Sequence, residues 1–387
     1  MDQIQESEVI NAIKTKLPPC CLRIFKNKVI LVGTYDLEKS TGYRSGSLDA
    51  FTMNLEPLCS YNTYGAILDL KLSPFDDTLI CTAHSTGNIM LWRIIYEEDS
   101  EHGIEKVEIS EIANLQLFDE DVLIASCHFS PLDSKQLVVT NTVGEAAVID
   151  IRRQAAQFTA SALEQTYSRL DKIDYQVQGG TQKVIHVEPE PLLKTHDLEC
   201  WTAEIGSLQP FQDVLFTGGD DSTIMAHDLR SKELVWNNNR IHEAGVVGIK
   251  CSQPSFRNNR PTSIITGSYD DNIRLLDLRM MGESIFPGKN VPVVSKLEYN
   301  LGGGVWRFVE PPTEISSPSR DDTDRLLVCC MYDGAKVVTM DEKSDEYFQV
   351  QHYLKKGHNS MCYGGDWSNS LTATCSFYDK SLQTWTV

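Results

Sequence analysis

The chain has 387 residues, 41% of them hydrophobic, enough for a globular core, and its formal net charge of −19 disfavours nucleic acid as a partner. No apolar run approaches the ~20 residues that cross a bilayer, and the start, Met1-Asp2-Gln3-Ile4-Gln5-Glu6, lacks the basic and apolar regions of a secretory signal. A cytoplasmic protein without a membrane span is expected, and eleven cysteines with no C-x-x-C pair argue for reduced thiols rather than disulfides or structural zinc.

Residues 1–19 are polar and helix-compatible at their start and read as a helical or flexible segment. From Cys20 the pattern turns to strand: Leu22-Arg23-Ile24-Phe25, a turn at Lys26-Asn27, then Lys28 to Tyr35 and, past a polar loop, Ser45 to Phe51. A second unit spans about 64–95 and holds Thr86-Gly87 and Trp92. An acidic connector over 96–108 precedes a third unit at about 109–160, with the turn Val143-Gly144-Glu145. Residues 152–195, with Glu188-Pro189-Glu190-Pro191, read as part of an outer strand plus an irregular excursion. Two further units are nearly copies of each other. Phe216-Thr217-Gly218-Gly219-Asp220-Asp221 returns as Ile265-Thr266-Gly267-Ser268-Tyr269-Asp270, and Asp221 and Asp270 stand 49 residues apart. That is close to the ~40–45-residue period of a four-stranded blade. A sixth unit carries a loop over 311–324, and a seventh ends in Thr384-Trp385-Thr386-Val387.

Each unit is an apolar strand, a tight turn in which Gly or Asp supplies the backbone angles, and a second strand. His196, His242 and His358 precede three of them. Asp228 and Asp277 keep the closing Asp of a WD repeat, and Trp92 and Trp385 keep its Trp. The expectation is an all-β fold: one seven-bladed WD-repeat β-propeller with degenerate repeats over 20–387, insertions near 96–108, 152–195 and 311–324, and an N-terminal strand latching the last blade.

Three stretches hold more chemistry than a propeller requires. Blade four opens with Thr195-His196-Asp197-Leu198-Glu199-Cys200-Trp201. Blade six opens with Gly302-Gly303-Gly304-Val305-Trp306-Arg307, and blade seven with Tyr363-Gly364-Gly365-Asp366-Trp367. His196 has two readings, a structural bond to the turn Asp or a catalytic base. The glycine run is either a tight turn or a cradle. Neighbours in a strand point to opposite faces, so only one of Trp306 and Arg307 should face the channel. No G-x-S-x-G, Walker loop, G-x-G-x-x-G or H-E-x-x-H occurs.

These stretches, with Val32-Gly33-Thr34-Tyr35 and Ala373 to Asp379, resemble the WD-repeat diphthine methyl ester esterases of diphthamide biosynthesis, and the spelling is most like the yeast member. The resemblance covers all seven blades. It implies a carboxylic ester hydrolase that demethylates the methyl ester of diphthine on elongation factor 2, beside other enzymes of the pathway; no cofactor is expected, and no cluster has the usual ligand spacing for a metal. A fixed quaternary ammonium in that substrate calls for aromatic faces near a carboxylate, which Trp201, Trp306 and Tyr363 with Glu199 or Asp366 supply. Ester hydrolysis needs a base and a donor for the oxyanion. His196 with Asp197 or Glu199 is the candidate base, and Arg307 or the Gly303 and Gly304 amides are the candidate donors. A non-catalytic scaffold or adaptor, the common occupation of WD propellers, and a hydrolase of another methyl ester are the alternatives.

Overall fold

The computed structural model describes residues 5–99, 103–151, 184–278, 295–312, 324–344, 346–369 and 371–387, and every regular element among them is a strand. The strands form seven sheets in chain order, the blades of a propeller. The innermost strands of blades one to seven are Pro19–Phe25, Ile67–Leu72, Ile124–Phe129, Cys200–Ile205, Val246–Cys251, Arg307–Val309 and Cys362–Trp367. The next strand outward is wholly or almost wholly buried, as in Val29–Thr34 and Ser263–Ser268, because both its faces meet neighbouring blades. Phe25, Phe216, Trp236 and Trp385 fill the space between blades with less than 2% exposure, each contributing about 1.5–3 kcal/mol of burial. All eleven cysteines are free and nine are buried.

The ring closes through the N-terminus. Val9–Lys14 pairs antiparallel with Ser381–Trp385 as the outermost strand of blade seven, and Gln5–Glu6 lies parallel to the edge of blade six. The expected N-terminal strand latch is present, and over Val9–Lys14 it replaces the helical or flexible reading of residues 1–19. Val9, Asn11 and Ile13 alternate with more exposed neighbours, and the free edge of the last blade takes that face.

The acidic connector also becomes strand. Asn88–Asp99 and Gly103–Gln116 form one long hairpin, so blade two extends to Gln116 and blade three begins at Ile124. Ile94, Val107 and Ile109 explain it, burying against Tyr61, Tyr96 and the rest of the blade-one side. Of the excursion, 152–183 lie outside the described residues. Val184–His186 adds a parallel strand to blade two, and Glu190–Pro191 completes blade three. Most of the 311–324 loop, 313–323, also lies outside them.

The turns repeat one device. In blades two to seven a single residue takes positive φ at the same place: Gly87, Gly144, Ser222, Asp271, Gly334 and Lys380. Before it, Asp221, Asp270 and Asp379 each accept a backbone N–H from the loop entering the blade, from Asp197, Glu243 and Asn359 at 3.0, 2.9 and 2.9 Å. The three histidines brace the same turns, with Nε2 of His196, His242 and His358 at 3.0, 2.9 and 2.7 Å from the hydroxyls of Thr217, Thr266 and Thr374. In blade seven the Trp385 indole N–H donates to that same Thr374 hydroxyl at 3.1 Å, completing the WD arrangement.

Candidate active site in the channel

Six of the seven inner strands carry a β-bulge at one register. The residue skipped in the ladder is the second of each strand: Cys20, Leu68, Ala125, Trp201, Val247 and Tyr363. A bulge re-aims the side chain it frees, and here it turns these residues to the axis. For Trp201 a contact that skips a blade establishes this. Trp201 of blade four and Trp306 of blade six meet with ring centroids 6.0 Å apart. The fifth residues of the same strands form a second layer: Arg23, Lys71, His128, Glu204, Lys250 and Asp366.

The first layer is aromatic at its mouth. Tyr269 stacks on Trp306 at 5.9 Å and 20°, Tyr363 approaches Trp306 at 5.1 Å, and Phe377 approaches Tyr363 at 5.6 Å. All are half-buried. Two carboxylates border the rings. The Trp201 indole N–H donates to Asp220 Oδ1 at 3.0 Å, and Glu199, next but one to Trp201, is half-buried with no side-chain hydrogen-bond partner among the described residues. Burial, with Asp220 close by, raises the Tyr269 phenol well above its usual value, so it stays neutral. Rings beside anions form a receptor for a cation.

The second layer is charged. Arg23, Lys71, His128, Glu204, Lys250, Trp306, Arg307 and Glu310 are among the residues lining a cavity of about 300 Å³. Lys71 Nζ donates to both oxygens of Asp69 at 2.7 Å, and Asp69 also accepts the Cys127 backbone N–H at 3.2 Å. Arg307 reaches across the channel to Asp69 at 3.7 Å. Burial works to raise Asp69, but Lys71 and Arg307 outweigh it and hold this carboxyl well below the usual range. Lys250 sits between Glu204 at 2.9 Å and Glu310 at 2.5 Å, which keep it protonated despite burial. His128 is kept neutral by burial and by Lys71 nearby. Its Nε2 accepts the Ala203 backbone N–H at 3.3 Å and stands 2.9 Å from Ser126 Oγ, so Nδ1 carries the proton and has no partner among the described residues. Cys20, at the boundary of the layers, has its thiol pushed up to about 12 by burial and is no thiolate.

The residues singled out from sequence separate into two groups. Trp201, Trp306, Tyr363, Glu199 and Arg307 come together at the channel. Trp306 and Arg307 both line the cavity, because the strand starts only at Arg307 and the alternation expected between them does not apply. His196 is committed elsewhere: Nδ1 lies 3.0 Å from Asp221, Nε2 3.0 Å from Thr217, and its side chain is 1% exposed. Burial disfavours its charge, but contact with Cys200 and Asp221 pushes it up to about 10. A protonated ring with both nitrogens bonded cannot act as a base. Asp197 is exposed beside that turn. Asp366 lies in the wall, accepting the backbone N–H groups of Ile24 and Trp367 at 2.8 and 2.9 Å. Gly303 and Gly304 owe their identity to packing. A Cβ on Gly303 would strike the Cys330 carbonyl and come within 2.8 Å of Asp333 Cβ, and one on Gly304 within 2.6 Å of Met331 Sδ.

Arg23, Lys71, His128 and Lys250 were missed, although each is the fifth residue of a repeated strand, and so was Asp69, the third residue of its strand. Among the described residues no group of three or more His, Cys, Asp or Glu side chains stands where it could hold a metal ion. Among the described residues no helix is long and apolar enough to cross a membrane.

No family model matches the chain. It is 77% identical over its full length, and over the full length of the relative, to a Saccharomyces cerevisiae protein named diphthine methyltransferase. A Schizosaccharomyces pombe protein of the same name is 29% identical over 92% of this chain and 90% of its own. The Homo sapiens protein of that name is 26% identical over 78% of this chain and 56% of its own. Among solved structures, a chain in the crystal structure of a mitotic checkpoint complex matches with a TM-score of 0.59, covering 100% of this chain and 94% of that one at 13% identity, a likeness of fold alone.

Proposed function

The chain belongs to the diphthine methyltransferase family, and we propose that it is a carboxylic ester hydrolase acting on the methyl ester of diphthine on elongation factor 2. The name shared by its relatives speaks of a methyl group on diphthine, and hydrolysis to the carboxylate and methanol is the fate assigned to that group here. The observation that carries the reading is the contact of Trp306 with two partners at once: an aromatic cluster bordered by Glu199 and Asp220 on one side, and the Arg307 guanidinium 5.0 Å from its ring on the other. The rings receive the trimethylammonium group of the substrate. Arg307 donates to the ester carbonyl oxygen as negative charge develops on it. Glu199, with no hydrogen bond of its own, accepts the proton of the attacking water. Water oxygen bonds to the carbonyl carbon, the bond to methoxide breaks, and the leaving group departs protonated as methanol. A translation-factor substrate places the enzyme in the cytoplasm.

The test is mass spectrometry of methyl-esterified elongation factor 2 incubated with the purified protein, with methanol measured in parallel. Loss of one methylene mass with matching methanol is expected, and Arg307→Ala lowers turnover by ~10²–10³. A protein that binds the esterified factor and leaves its mass unchanged is the scaffold of the alternative reading.

A further inference from the structure

We infer that the channel beneath the aromatic mouth is a zwitterion subsite, built for a group in which a quaternary ammonium stands next to a free carboxylate, and therefore that it holds the acid product more tightly than the ester. This rests on the reading of the channel as the diphthine esterase centre.

The geometry comes first. Arg307 Cζ lies 5.0 Å from the Trp306 ring centroid, and both groups line the same cavity. A receptor for a cation and a receptor for an anion thus stand within the span of a few covalent bonds. The guanidinium is available. Its side chain is only 12% exposed and has no hydrogen-bond partner among the described residues. Its nearest carboxylate, Asp69 at 3.7 Å, already takes both contacts of Lys71 and the Cys127 amide. A planar fork of five N–H donors matches a carboxylate two bonds at a time.

The charges facing the cavity are unevenly divided. Lys250 is outnumbered by Glu204 and Glu310 on the side of blades four to six, so the negative excess lies there. On the opposite wall Lys71 holds Asp69, which Arg307 reaches from blade six, and Arg23 lines the cavity there, with Asp366 behind bonded to two backbone amides. Arg23 itself donates only to the carbonyls of Leu22 and Gly365, at 2.9 and 3.4 Å. A buried surplus of positive charge is costly until an anion compensates it. A methyl ester brings no charge to that wall. The carboxylate left by hydrolysis does.

Four probes separate the parts: trimethylglycine, its methyl ester, tetramethylammonium and acetate, titrated against the intact protein by tryptophan fluorescence and by saturation transfer from the probe methyl protons. The wild type should bind trimethylglycine about ten- to a hundredfold tighter than the methyl ester, with tetramethylammonium similar to the ester and acetate weaker than trimethylglycine. Arg307→Met should abolish the preference for the acid and leave ester binding in place. Arg307→Lys, which keeps the charge without the fork, should show an intermediate preference and carries the test should the Met variant not fold. Equal binding of acid and ester, an equal loss of both in Arg307→Met, or no saturable binding of trimethylglycine overturns the subsite. The two readings fail separately. An esterified elongation factor 2 left intact by a protein that prefers the zwitterion removes the hydrolase and keeps the subsite, whereas hydrolysis without that preference does the reverse.

Discussion

Replacing Asp69 by Asn tests whether the charged layer is a connected unit. The carboxylate is 2% exposed and is held by Lys71 at 2.7 Å through both oxygens, by the Cys127 N–H at 3.2 Å and by Arg307 at 3.7 Å. Asn keeps the shape and can still accept from the Cys127 amide. It leaves two buried cations without their shared anion. Removing one partner of a buried pair costs about 3–5 kcal/mol, and the retained amide bond places this case near the lower end, roughly 3 kcal/mol. In a chain of this size that lowers the melting temperature by about 4 °C. The pH dependence has a definite sign. Asp69 is held below the usual carboxylate range, so its contribution is present above the ordinary value of about 4 and disappears as the pH falls through the folded one. Thermal melts of the wild type and Asp69→Asn across acid and neutral pH should therefore converge on acidification. Adding Lys71→Met should recover part of the loss, with a coupling energy above about 1 kcal/mol. A single variant melting within about 1 °C of the wild type at neutral pH, or a gap that widens in acid, would show that Asp69, Lys71 and Arg307 act independently.

His196, raised in the folded state to about 10, stabilises fully below its ordinary value of 6.5 and loses that contribution as pH rises through the folded one. Denaturation of His196→Gln should thus differ most from wild type in mild acid and least near pH 10, and a pH-independent difference argues for a neutral ring. Gly303→Ala drives a methyl group against the Cys330 carbonyl and the Asp333 turn, so urea unfolding should show a loss of about 1–3 kcal/mol. An unchanged midpoint would mean that the blade-six entry gives way. With a net charge of −19, capture of a basic region of elongation factor 2 should slow as the Debye length shrinks from ~10 to ~3 Å, and stopped-flow association unaffected by salt excludes this steering.

The blades were legible because their turns are spelled alike. A small residue or Asp before a left-handed position can be read off Gly218 to Ser222 and Gly267 to Asp271 without knowing what packs on them. An N-terminal strand on the last blade was expected, but two local readings, a helical or flexible 1–19 and a solvated 96–108, fail for a common cause. Val9–Lys14 becomes a strand only because Ser381–Trp385, at the other end of the chain, offers an edge. Residues 96–108 looked like a solvated connector because Glu97 and Glu108 are exposed, yet Val107 and Ile109 beside them bury on blade one. In both, the partner that decides the conformation is remote in sequence and invisible to a local pattern.

The channel divides along the same line. Trp201, Trp306 and Tyr363 stood out because large aromatics cluster at strand starts that a propeller leaves unspecified. His196 sits in an equally conspicuous stretch, but the repeat needs it for the Asp221 turn, and that demand takes both its nitrogens. The charged layer could not be seen as a cluster at all. It contributes one residue from each of six blades, from Arg23 to Asp366, and each looks like an ordinary strand charge. What unites them is the bulge at the second residue, which sets the second and fifth positions of six strands at two depths around one axis. Aligning the inner strands on that bulge, rather than on the turn, lines up Arg23, Lys71, His128, Glu204, Lys250 and Asp366 in a single column. A buried strand has no structural need for ionisable side chains at every repeat, so a column that keeps them marks the depth at which the channel gathers charge, just below the rings proposed to receive the cation.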